Sequence, residues 1–210
     1  MAKPGCLIAG GAGFLGINLV RLLLSKDWAV RSLDIATFDY PERSRADAML
    51  GDIRDIRDAG VVERAMADVG MVVHCAAALP LADEAEIRST GVDGTRLLLE
   101  AAWRHGVSRF IFISSTAVYG IPDHHPICET DALHGVGPYG QAKIEAERLC
   151  AEFRARGLCV TILRPKVLSD LSAWVLLSCC TTGRLTAMAS PCWAAVTTFT
   201  SCLTSRTSAR

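Results

Sequence analysis

Apolar positions along the first three-quarters of the chain follow two patterns in turn. Short dense runs rich in Val, Ile, Leu and Phe predict strands near residues 5–9, 29–34, 47–50, 71–75, 109–114 and 158–163. Between them, apolar residues recur at three- and four-residue intervals, as in Phe14-Leu15-x-x-x-Leu19-Val20-x-Leu22-Leu23-Leu24. That period predicts helices near 14–26, 55–67, 84–105 and 138–156. Strands alternating with helices through short links imply an α/β fold with a doubly wound parallel sheet. No internal repeat or low-complexity linker interrupts the pattern before residue 165. Beyond it the pattern stops. Residues 166–210 contain one acid, Asp170, are crowded with Ser, Thr, Cys and Trp, and show neither period.

Composition narrows the picture. The chain has 210 residues, half of them apolar, and a formal net charge of zero. That is enough chain for one α/β domain with a substantial core. With no basic excess, nucleic acid is not an implied partner. Residues 185–205 lack charge but are rich in Thr and Ser and contain Pro191, so no membrane span is expected. Met1-Ala-Lys-Pro-Gly5 reaches the first strand too soon to be a secretory segment. The nine cysteines show no C-x-x-C pair and no metal-ligand spacing. Cys6, Cys75 and Cys159 sit in apolar runs, as buried free thiols do, which fits a reducing cytoplasm.

Candidate chemistry begins at Gly10-Gly-Ala-Gly-Phe-Leu-Gly16, where the first strand turns into the first helix. Gly10 permits a tight turn, Gly13 lets a pyrophosphate approach the backbone, and Gly16 lets the helix lie close to the sheet. Phe14 and Leu15 then open a helix whose free N–H groups and positive dipole end attract phosphate. Asp34 ends the second strand, 18 residues after Gly16. A carboxylate there can accept from an adenosine ribose and repel a 2′-phosphate, favouring NAD over NADP; the alternative is a surface turn. Arg31 and Arg43 nearby keep NADP open. Asp52 and Ile53 follow the third strand, where Asp52 can meet an adenine amino group or cap the next helix. Ala76 and Ala77 supply small residues past which a dinucleotide can run, and His74 reads as a core histidine rather than a catalyst.

Tyr139 and Lys143 stand four apart at the start of a predicted helix, on one face. A nearby ammonium favours the phenolate and lowers a tyrosine's pKa, suiting it to exchange a proton with a substrate hydroxyl while hydride moves. The pair follows a strand that ends in Ser114-Ser-Thr-Ala-Val-Tyr-Gly120. A serine at the carboxyl end of a strand faces the ligand crevice of an open sheet. Ser114 and Thr116 also read as turn formers.

Taken together, these residues resemble the extended short-chain dehydrogenase/reductases, the NAD-dependent epimerase/dehydratase family. The matching segments are Gly10–Gly16, Asp34, Gly51-Asp52, His74-Cys-Ala-Ala77, Gly94-Thr-Arg-Leu-Leu-Leu-Glu-Ala-Ala102, Ser114–Gly120, Tyr139-x-x-x-Lys143 and Leu163-Arg-Pro165. The resemblance implies Tyr139 as acid/base, Lys143 as its ribose-binding partner and Ser115 as the residue orienting the substrate hydroxyl. It implies a dinucleotide held by Gly10, Gly13, Phe14, Leu15, Gly16, Asp34, Asp52, Ile53, Ala76, Ala77, Tyr139, Lys143 and Pro165, and no metal. It further implies a nucleotide-linked sugar as substrate, or a hydroxysteroid or other secondary alcohol, and a homodimer through the helices near 84–105 and 138–156. Thr90-Gly91-Val92 departs from the family, which carries Asn before this helix's Val-x-Gly-Thr run. His124, His125 and His134 read as a solvated or substrate-contacting loop in preference to the alternative, a metal site.

The family continues past Leu-Arg-Pro into a Gly-Pro loop and a smaller substrate-binding domain, and residues 166–210 show neither. Read one base out of register, codons allowed for Val167–Val175 permit Ser-Phe-Ile-Gly-Pro-Glu-Arg-Leu-Gly, and those for Val196–Arg210 permit a run with Leu-Leu-Asp-Val-Glu-Asp-Leu. The expectation is an NAD(P)-binding domain over 1–165 and a frame-shifted tail over 166–210. A genuine tail would instead make this a truncated, inactive dinucleotide-binding fragment.

Overall fold

The computed structural model describes residues 5–54 and 59–166. The expectations for residues 167–210, a frame-shifted tail and a missing substrate domain, lie outside the described residues. So do residues 55–58 of the second predicted helix.

Six strands form one all-parallel sheet: β1 (Gly5–Ala9), β2 (Val30–Asp34), β3 (Asp47–Leu50), β4 (Val69–His74), β5 (Arg109–Ile113) and β6 (Val160–Leu163). Their order across the sheet is β3-β2-β1-β4-β5-β6. The helices are α1 (Phe14–Leu24), α2 (Ala59–Met66), α3 (Glu84–Arg88), α4 (Thr95–Arg104) and α5 (Gly137–Ala155). The expected doubly wound sheet is therefore present, with element ends moved by a residue or two. The chain leaves β1 toward β2 and later returns to β4 on β1's other side. Loops after β1 and β4 thus diverge, and a crevice opens at the carboxyl ends of these strands.

Alternating strand residues enter two separate cores. Leu7, Leu33, Val72, Phe110, Phe112 and Val160 pack toward α2, α4 and α5. Cys6, Ile8, Val30, Val73, Ile111 and Leu163 face the side covered by α1. Phe110 and Phe112 are fully buried, each worth about 1.5–3 kcal/mol of apolar burial.

The predicted helix 84–105 is one helical run with a wider π turn, Ser89–Gly94, between α3 and α4. Asp83 starts it, accepting from Glu86 N at 2.8 Å. Within the turn the Thr95 hydroxyl donates to Gly91 O at 2.7 Å. A Cβ on Gly91 would sit 3.4 Å from Ala142 of α5, and one on Gly94 would sit 2.8 Å from Ile53. The widened turn brings bare backbone against both neighbours.

Candidate active site

The glycine turn is held from below and from the side. Gly10 has φ +85°, and a Cβ there would meet Ala76 N at 2.5 Å. A Cβ on Gly16 would overlap the carbonyl oxygen of Gly10. Gly13 differs. It is exposed, its φ of −75° is ordinary, and the one atom within 4 Å of its Cβ position is Gly10 O at 3.4 Å. Of the three glycines given roles, those at 10 and 16 are thus demanded by the fold, whereas Gly13 leaves open space. Gly11, which the sequence reading passed over, is also demanded, since its Cβ would run into the buried Ser32 side chain.

Asp34 fixes the turn as well as facing it. Its Oδ2 accepts from Ala12 N at 2.9 Å and its Oδ1 from Ala36 N at 3.0 Å. The Tyr40 hydroxyl donates to Ala12 O at 2.8 Å. At the start of α1, Phe14 is exposed and Leu15 buried. Ile17 N is the first to bond back along the helix, to Gly13 O at 2.9 Å, so the N–H groups of Phe14, Leu15 and Gly16 precede the helical ladder.

Arg31 does not face a cofactor. It binds Asp47 at 2.6 Å and donates to the carbonyls of Arg64, Ala65 and Ala67 at the end of α2. That corrects the expectation that Arg31 keeps a 2′-phosphate site open. Arg43 lies exposed in the turn Pro41–Ser44. The Asp52 carboxylate is clasped by Arg54 Nε and Nη2 at 2.6–2.9 Å and closes a short turn by accepting from Arg54 N at 2.8 Å. α2 is described from Ala59, so the alternative reading of Asp52 as its cap lies outside the described residues. The Arg54 guanidinium holds this carboxyl below the usual range. The Ile53 side chain is buried beneath Gly94, so this residue offers the crevice its main chain. Ala76 is half-buried against Gly10 and Ala77 is exposed.

The second half of the chain brings Ser115, Tyr139 and Lys143 together beyond the end of β5. Ser115 starts the turn Thr116–Tyr119, its Oγ accepting from Ala117 N at 3.1 Å. The same side chain lies close enough to the Tyr139 phenol to act on it. Lys143 is buried, its Nζ donating to Ile113 O at 2.8 Å and lying 4.8 Å from the Phe112 ring centre and 5.8 Å from that of Tyr139. Burial drops the Lys143 pKa to about 8. The Tyr139 phenol departs from the expectation. Burial pushes it up, and the neighbouring Ser115 side chain opposes that only in part. The Tyr139 phenol therefore keeps its proton at neutral pH. His74 is a core residue, as read from sequence. Its Nε2 lies 2.9 Å from the Thr95 hydroxyl, and burial, with Lys143 nearby, pushes its pKa down to about 3.

Ser114 points away from the crevice. It is buried and donates to Glu147 Oε1 at 2.6 Å. Thr116 is half-buried, and its N–H donates to Pro165 O at 3.3 Å. The sequence reading missed the buried ion pair behind these residues. Arg164 Nε and Nη2 bind the two Glu147 oxygens at 2.9 and 2.6 Å, and Nη1 donates to the Tyr119 hydroxyl at 2.7 Å. Those bonds outweigh burial and keep the guanidinium firmly charged. The i, i+4, i+8 spacing of Tyr139, Lys143 and Glu147 was the available signal. Among the described residues no cluster of His, Cys, Asp or Glu is placed to hold a metal ion, and no helix is long and apolar enough to cross a membrane.

A six-stranded parallel sheet in this order, a glycine turn at its switch point and a Tyr-x-x-x-Lys helix beside a serine-bearing strand end define a Rossmann domain of the extended short-chain dehydrogenase/reductase class. The chain belongs to the NAD dependent epimerase/dehydratase family, whose model matches residues 6–169. It is 36% identical over 173 residues to a dTDP-glucose 4,6-dehydratase of Streptomyces griseus, covering 75% of this chain and 52% of that protein. It is 34% identical over 175 residues to a 3 beta-hydroxysteroid dehydrogenase/Delta 5→4-isomerase of Mycobacterium tuberculosis, covering 76% and 45%. Among solved structures, UDP-glucose 4-epimerase from Brucella ovis in complex with NAD superposes with a TM-score of 0.70 at 32% identity, covering 77% and 51%. The chain spans about half the length of the relatives it matches.

Proposed function

We propose that this chain is the cofactor-binding part of an NAD-dependent epimerase or dehydratase acting on a nucleotide-linked sugar. The observation that carries the reading is the meeting of Ser115, Tyr139 and the buried Lys143 beyond the carboxyl end of β5, with Lys143 Nζ 5.8 Å from the Tyr139 ring centre. The open space over Gly13 fits a pyrophosphate, with the N–H groups of Phe14, Leu15 and Gly16 above it and Gly10 and Gly16 keeping the turn low. Asp34 would accept from the adenosine ribose, and a carboxylate there disfavours a 2′-phosphate. Asp52, Ile53, Ala76, Ala77 and Pro165 would line the rest of the cofactor's path. NAD, when bound, supplies reversible hydride acceptance.

In this mechanism Ser115 Oγ orients the substrate hydroxyl toward Tyr139. Tyr139, as its phenolate, would take the substrate hydroxyl proton and, as the phenol, return it when the keto intermediate is reduced or rearranged. The ammonium of Lys143 stabilises the phenolate in that step and donates to ribose. The phenol's raised pKa in the protein alone means that the proton moves only once further positive charge or a substrate hydroxyl bond enters the site.

The dehydratase and epimerase relatives support the nucleotide-sugar substrate. The steroid dehydrogenase relative supports a second reading, oxidation of a hydroxysteroid by the same residues. Cytoplasmic residence and a homodimer through α3, α4 and α5 belong to the same proposal. So does the division into a cofactor domain over 1–165 and an out-of-frame tail, which resequencing across codons 160–210 tests.

Tyr139→Phe tests the catalytic reading. It should abolish turnover of UDP-glucose, dTDP-glucose or a 3β-hydroxysteroid, a loss of about 100-fold or more, and leave NAD affinity within about twofold. Failure of the wild-type chain to bind NAD, or turnover surviving in the Phe variant, refutes it.

A further inference from the structure

Glu147 lies one turn beyond Lys143 on α5, as Lys143 lies one turn beyond Tyr139. Its carboxylate is buried, and each of its contacts reaches a piece of chain that carries the proton-transfer groups. Oε1 accepts from Ser114, the residue before Ser115, at 2.6 Å. Both oxygens accept from Arg164, which donates in turn to Tyr119 at 2.7 Å and to Glu129 O at 3.2 Å. Ser114 and Tyr119 bracket the turn that Ser115 opens. Both ends of that turn therefore hang on one ion pair, and its middle is pinned through Thr116 N to Pro165 O.

The pair is 9% and 6% exposed at its side chains. A buried ion pair stabilises a fold no better than a packed apolar pair of similar volume. Its geometry is better explained by what it holds. The groups that act electrostatically on Lys143 are His74 from β4, Cys75 at the end of β4, and Cys150 and Glu147 on α5. Tyr139, also on α5, is the further titratable side chain against it. Glu147 is the carboxylate in this set.

We propose that Glu147 is a positioning residue for proton transfer: it fixes the main chain that presents Ser115 to Tyr139, and it sets a negative charge one turn from the Lys143 ammonium. The inference rests on the roles given above to Ser115, Tyr139 and Lys143. Cys75, Cys150 and then Glu147 oppose the effect of burial on Lys143.

The test is a titration of the full chain carrying ¹³C-labelled lysine and tyrosine, followed by NMR. Lys3, Lys26, Lys143 and Lys166 are its lysines, and Lys143→Arg assigns the signal of interest. Glu147→Gln should lower the Lys143 midpoint by about one pH unit, as expected for loss of an opposite charge within one turn, and shift the Tyr139 resonance. Glu145→Gln, which neutralises the exposed carboxylate paired with Arg88, should leave both unchanged. Because Glu147→Gln leaves Arg164 buried without its counter-charge, the paired change Glu147→Met with Arg164→Met removes the brace at no net charge: it should move the Lys143 midpoint less than Glu147→Gln and still shift the Tyr139 resonance. Glu147→Asp, which keeps the charge, should hold the midpoint near the wild-type value. A Lys143 midpoint unchanged in a folded Gln variant, or a Tyr139 resonance unchanged in the folded double-Met variant, overturns the proposal. NAD titration of the wild-type chain judges the functional reading separately, since these signals are read without turnover.

Discussion

Three glycines of one turn should fail in two different ways when each is changed to alanine. For Gly10→Ala the residue must hold φ +85° and place a methyl 2.5 Å from Ala76 N. The left-handed conformation costs about 1–2 kcal/mol, and forcing a methyl against fixed backbone about 1–3 more. For Gly16→Ala the methyl overlaps the carbonyl oxygen of Gly10. The helix-propensity gain of about 1 kcal/mol does not offset that overlap. Gly13→Ala meets nothing closer than 3.4 Å at an ordinary φ, and its stability should stay within about 1 kcal/mol of wild type. Its methyl would instead occupy the space assigned to a pyrophosphate. Thermal melts should place the Gly10 and Gly16 variants well below wild type, at roughly 2–4 °C per kcal/mol for a domain of this size, with Gly13→Ala unshifted. Calorimetric NAD titration should then show Gly13→Ala weakened about tenfold or more. A Gly13→Ala protein that melts normally and binds NAD as tightly as wild type would refute the phosphate cradle. One that melts as low as Gly10→Ala would refute the packing argument.

Asp34→Asn should weaken NAD binding and narrow the preference over NADP, because it removes the charge and one of the two acceptors that hold Ala12 and Ala36. The expected change in the ratio of the two affinities is about tenfold, read by parallel titrations; an unchanged ratio would show that Asp34 only braces the loop. His74 should make the fold sensitive to acid. Its folded pKa is depressed to about 3, so as pH falls below about 6.5 the unfolded chain takes up a proton that the native state refuses. The stability contributed is complete above pH 6.5 and is lost as pH falls toward 3. By pH 5 the loss is about 2 kcal/mol. Urea unfolding at pH 7 and pH 5 should show this slope in wild type and a shallower one in His74→Gln. Equal slopes would remove His74 as the cause.

The parts legible in the sequence were those written in periodicity or in fixed spacing. The strand–turn–helix start at Gly10–Gly16 announces itself because apolar runs flank it on both sides, and the sheet follows from the alternation. Ser115 was separable from Ser114 and Thr116 only through the family pattern, and the structure separates them by burial and partner. Glu147 and Arg164 were hidden because a period reading assigns charged residues to the solvent, whereas α5 buries Lys143 and Glu147 among its apolar positions. The π turn was hidden for a different reason. It depends on Gly91 and Gly94 meeting Ala142 and Ile53, contacts 51 and 41 residues away in sequence. The direction of the Tyr139 shift was misjudged because spacing reveals the neighbouring ammonium but not the depth of burial.

Tyr139, Lys143 and Glu147 occupy successive turns of one helix, so α5 works as a ruler with three marks. Each residue advances the helix by about 1.5 Å and rotates it by about 100°. Deleting or inserting a single residue between the first mark and the last would swing the brace out of phase with the chemistry while leaving the helix intact. Between Tyr139 and Glu147 the chain has latitude in what it carries on the outward face and none in its length. Past Phe153, where the helix nears its end at Ala155, length is set only by the approach to β6. The reading frame of this segment, counted in residues, is itself a functional dimension of the site.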